Sequence, residues 1–128
     1  MNALEFEGLE RRIAGWIAWL TIATGAAQIV IPARLLPLIG VASNDSAAHL
    51  FATVGMFMVL FGGAVLHAQV RREALQVVLL WAGLQKIGAA LLVGWGVSRG
   101  VFAPLALLIA GFDGASGLLF FDLRRRGG

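Results

Sequence analysis

Cysteine is absent from the 128 residues, which excludes disulfides, thiolate metal sites, haem attachment and thiol catalysis. Histidine is nearly absent. His49 and His67 fall at opposite ends of one apolar stretch, too far apart to share a metal ion, and no carboxylate is placed to complete a site. Charge is scarce as well, at 13% of residues, where a soluble domain carries about 25%. No nucleophile–base arrangement and no Walker-type loop is present, and the glycine-rich pieces lie inside apolar stretches, where they serve packing and not phosphate binding. No catalytic residue, metal or cofactor is therefore expected.

What the chain does have is apolar length. It is 59% hydrophobic, with mean hydropathy +0.87, a composition of the membrane class. Four stretches, at about 13–31, 47–70, 74–97 and 101–123, are each long enough to cross a bilayer. The expected fold is an all-α membrane protein: a compact four-transmembrane-helix bundle with short loops, forming a single domain over 1–128. The net charge of +3 and pI near 11.1 do not imply nucleic acid, because the arginines cluster at the ends of apolar runs and form no continuous basic face.

Arg11, Arg12, Arg71, Arg72, Arg124, Arg125 and Arg126 flank one side of these spans, and only Arg34 and Arg99 the other. By the positive-inside rule both termini are then cytoplasmic. Every basic residue but one is arginine, in a chain rich in Ala and Gly, which suggests a bacterial inner membrane, with membrane lipids as partners.

Residues 1–12 alternate acidic and apolar side chains, as in a short interfacial helix with Glu5, Glu7 and Glu10 toward water, or a solvated tail. They are too acidic for a signal-peptide start, so the first span is expected to be retained. Trp16, Trp19, Trp81 and Trp95 read as interface anchors. Pro32 ends the first span, the apolar piece after Arg34 is too short to cross, and Asn44, Asp45 or Ser46 is placed to cap the second span. Arg71, Arg72 and Glu73 make a tight turn, so the second and third spans are antiparallel neighbours. Ala14 and Ala18 form a small-residue stripe expected to serve self-association.

The exceptional basic residue is Lys86. It lies midway between Arg72 and Arg99, and Asp113 lies close to midway between Arg99 and Arg124. Both charges are thus expected near the bilayer midplane, on consecutive helices, where each costs at least about 2.5–3.5 kcal/mol. The simplest resolution is that each is the other's partner. A structural role fixes the pairing and register of the two helices; a functional role is a proton-relay or coordination site. The matched counter-charge favours the structural role. Thr21, Thr24, Gln28 and Thr53 on the first two spans, with Gln85 and Ser116 beside the pair, are candidate supporting polar residues.

In length and span number the chain is similar to small multidrug-resistance transporters, but the membrane-embedded glutamate that they carry in the first helix has no counterpart here. Three functions fit the residues. The first is a non-enzymatic bundle that self-associates as a homo-oligomer or serves as an accessory subunit of a membrane complex. The second is a small transporter or channel using Lys86 and Asp113. The third is binding of a lipophilic small molecule such as a quinone or isoprenoid. Sparse polar residues around the pair favour the first.

Overall fold

The computed structural model describes residues 1–127. Those residues are all-helical, with no strand: α1 (Ala3–Val30), α2 (Pro32–Leu35), a 3₁₀ turn (Leu36–Ile39), α3 (Asp45–Arg71), α4 (Leu75–Ser98) and α5 (Ala106–Arg125). Four of them, α1, α3, α4 and α5, are long and apolar enough to cross a membrane.

The boundaries have local causes. α1 begins ten residues before its apolar run because Asn2 accepts from the Glu5 N–H while the Glu5 carboxylate accepts from the Asn2 N–H, a reciprocal cap. Residues 3–12 are therefore neither a separate interfacial helix nor a tail but the first turns of α1. At 28 residues, α1 is about 42 Å long and outreaches the about 30 Å hydrocarbon core, so this charged start lies outside the apolar segment.

The short piece after Pro32 folds into two tight turns and buries Leu36. Asn44 caps α3 by accepting from the Ala47 N–H at 2.8 Å. Between α3 and α4 the chain reverses through two non-glycine residues in the left-handed region, Arg72 (φ 59°) and Ala74 (φ 54°). α5 starts at Ala106 and not near 101, because Val101 and Phe102 both donate to the Gly96 carbonyl and wrap the Phe102 ring over that glycine.

α1 packs most extensively on α3, and α4 on α5; α3–α4 and α1–α5 touch much less. The buried residues follow helical spacing: Ala14, Ile17, Ala18, Thr21, Gly25 and Gln28 on α1, and Leu75, Leu79, Ala82, Gly83 and Lys86 on α4. Ala14 and Ala18 are fully buried against the rest of the bundle, so this stripe serves packing within the chain and is not free for self-association. The outward faces carry large apolar side chains, among them Trp16, Leu50, Leu91 and Leu108. That is the reverse of a soluble bundle, whose polar residues face out.

Small residues bring the helices together. A Cβ on Gly25 would lie 2.4 Å from the Gly55 carbonyl oxygen, and one on Gly55 would lie 2.5 Å from that of Gly25. In the second pair the closest contacts of the glycines are side chains, Gly83 against the Phe121 ring and Gly117 against Ile87, with the Gly83 carbonyl next nearest to Gly117. At the far end, the Ala103 N–H donates to the Ile39 carbonyl at 2.8 Å and joins the two outer connections.

Candidate functional site at the Lys86–Asp113 pair

Lys86 projects from α4 into the middle of the bundle and is 3% exposed. Its ammonium lies 3.2 Å from Asp113 Oδ1 on α5, so the two charges do neutralise each other. It also donates to Thr21 Oγ1 on α1 at 2.7 Å, and the Phe112 ring lies 5.4 Å away. The Thr21 hydroxyl in turn donates to the Ile17 carbonyl of its own helix at 2.8 Å, which fixes its lone pairs toward the lysine. Lysine's length matters here. α1 and α4 scarcely pack against each other, and the four-carbon stem spans the gap that their backbones leave. One side chain thus ties together α1, α4 and α5.

The other polar candidates are dispersed. Gln85, next to Lys86, has a fully shielded Oε1 with no protein donor. Ser116 is buried one turn after Asp113. Gln28 is buried at the α1–α3 crossing, where its Nε2 lies 3.3 Å from the Met58 sulfur. Thr24 and Thr53 lie on exposed faces, where each hydroxyl donates to a carbonyl one turn back, those of Leu20 and His49. Of the supporting residues on the first two spans, only Thr21 reaches the pair. No continuous polar path on that side results. Both histidines are exposed at their separate ends of α3, and no cluster among the described residues is suited to a metal ion.

A second polar assembly lies at the arginine-rich end. Glu10 is not turned to water, as its sequence setting suggests, but is 5% exposed. It faces the end of α5, where Arg126 Nε lies 3.0 Å from its Oε1 as an ion pair without hydrogen-bond alignment. Arg126 also bonds Asp122 at 2.9 Å, and its guanidinium covers the Phe6 ring at 4.6 Å. The Asp122 hydrogen bond holds the Arg126 guanidinium above its usual range. Burial pushes the Glu10 carboxyl up, with Asp122 adding to the effect and Arg126 opposing it.

Two further bonds join this end: Gln69 Nε2 to the Arg11 carbonyl, and Arg124 Nε to the Gln76 carbonyl. The signal for this assembly was present in the residues. An acidic N-terminal segment and a basic C-terminal segment that share one side of the bundle attract each other.

The chain matches no protein-family model, no curated protein and no solved structure.

Proposed function

We propose that the chain is a non-enzymatic, multi-pass bundle of the bacterial inner membrane, with both termini in the cytoplasm, that self-associates or serves as an accessory subunit of a larger membrane complex. The observation that carries this reading is the engagement of Lys86. Its charge is matched by Asp113, it is held by Thr21, and the crevice beside it has room for no more than a water-sized molecule. A charge so enclosed offers nothing to a substrate and acts as a clamp. The apolar exterior, which includes Leu50, Leu91 and Leu108, remains for lipid and for partner helices. The cytoplasmic orientation rests on the arginine distribution and on the meeting of both chain ends at Arg126.

The test is cross-linking in native membranes through cysteines placed at Leu91 or Leu108, with reporter fusions at the C-terminus and in the loop at Asn44. The expected result is a cross-linked dimer, higher oligomer or defined hetero-complex, a cytoplasmic C-terminus, and an Asn44 loop on the opposite side. A chain that stays monomeric and uncoupled in native membranes removes the assembly reading. A cytoplasmic Asn44 loop removes the orientation.

One observation favours transport as a second reading. The pairs α1/α3 and α4/α5 are each closely packed but meet sparsely, and Lys86 lies at their junction. Two halves that rock about a midplane charge are a recurrent transporter design. Under this reading, Lys86→Met/Asp113→Leu leaves a folded protein that has lost proton or ion flux in proteoliposomes. Under the clamp reading the same protein keeps its assembly.

A further inference from the structure

The ammonium of Lys86 has three N–H donors, and protein acceptors account for two of them, Thr21 Oγ1 and Asp113 Oδ1. Gln85, one residue away, has a shielded Oε1 that no protein donor reaches. Both residues line the same small crevice at the centre of the bundle, where Ala18 and Thr21 of α1, Phe61 and Val65 of α3 and Phe120 of α5 close the walls. Most of these wall residues are buried to within a few per cent. The crevice offers about 10 Å³ to the centre of a water molecule, about the room one water requires, and a buried water needs two to four polar partners.

We propose that one water molecule is bound in this crevice, accepting a hydrogen bond from Lys86 and donating one to Gln85 Oε1. Thr21 Oγ1, whose residue also lines the crevice from α1, supplies a second lone pair for the remaining proton. The chemistry of the walls selects water over other small ligands. A metal cation is repelled by the ammonium, and an inorganic anion larger than water does not fit. An apolar atom would leave a donor and an acceptor unpaired, at about 1–3 kcal/mol for each group. Water alone accepts from the lysine and donates to the amide oxygen. The bound water completes the coordination of Lys86 and makes Gln85 a positioning residue for the pair. It extends the hydrogen-bonded chain from Asp113 through Lys86 to Gln85, and so goes beyond the clamp reading without depending on self-association.

Lys86 is the single lysine of the chain, so ¹⁵N-lysine labelling gives one ammonium signal. The test is solid-state NMR transfer of magnetisation from water to that ammonium, on the full chain in hydrated phospholipid bilayers. The expected result is a direct water-to-Lys86 cross-peak that persists when surface water is frozen out, and that is lost in Gln85→Leu, which fills similar volume without an acceptor. No water contact in the unsubstituted protein overturns the proposal, whether or not the variant folds. An undiminished cross-peak in folded Gln85→Leu also overturns it, because water would then reach the lysine without Gln85.

Discussion

The two helix pairs solve the same packing problem by different means. In α1/α3 backbone meets backbone at the closest point, with Gly25 and Gly55 each facing the other's carbonyl, while Gly62 faces both the Ile22 side chain and the Ala18 carbonyl. In α4/α5 the glycines mostly face side chains, Phe121, Phe102 and Ile87, and the pair carries a buried salt bridge. Lipid gives helices no hydrophobic reason to associate, so close packing or polar contact must hold them. The first pair relies on fit, which tolerates no added atom. The second has looser neighbours and a charge pair that specifies its partner and register. The lysine of the second pair also reaches back to Thr21 of the first, beside the core cluster that the side chains of all four helices share.

Six substitutions sharpen this contrast. The largest loss is expected for Gly55→Ala, about 3 kcal/mol, since the new methyl meets backbone that cannot move aside. Gly83→Ala meets an aromatic ring that can swing, and should cost less than half as much. Equal losses in reversible unfolding in mixed micelles would erase the distinction between the pairs.

Next is Asp113→Leu, which leaves the Lys86 ammonium without its counter-charge. Breaking a buried pair in this way costs about 3–5 kcal/mol in soluble proteins, and less in a membrane, where the unfolded chain also finds partners; about 2 kcal/mol is expected. Arg126→Ala should lower the melting temperature by a smaller amount, because its guanidinium, which pairs with Glu10 and Asp122, is itself partly exposed at the end of the bundle. Arg125→Ala, which loses only the two exposed hydrogen bonds to Asp122 Oδ1, should lower it less still. Smallest is Ala74→Gly, a gain of about 0.5–1 kcal/mol, because glycine removes the left-handed strain at φ 54°. A loss on this substitution would show that the turn is not strained.

The features legible in the residues are those with a one-dimensional signature. Apolar length gave the four helices, and the spacing of Lys86 and Asp113 from flanking arginines gave their common depth and hence their contact. The cap of α3 narrows to Asn44, Asp45 or Ser46, of which Asn44 serves. Features that depend on helix rotation were less accessible. Ala14 and Ala18 look the same whether they face another chain or the interior of their own bundle, and only packing assigns them to the interior. Thr24 and Thr53 are polar but turned outward, while Thr21, three residues from Thr24, meets the lysine. The start of α1 was obscured because Glu5, Glu7 and Glu10 together read as a water-facing side, although Glu10 faces Arg126.

The claim on which the rest depends is that Lys86 and Asp113 act as one clamp. A double-mutant cycle in lipid bilayers measures it directly, comparing Lys86→Met, Asp113→Leu and the double substitution by unfolding free energy. The expected result is a loss in each single variant and recovery of much of that loss in the double, since two apolar side chains leave no unpaired charge. Losses that simply add, with no recovery in the double variant, would contradict it. Each charge would then draw its stability from a separate partner.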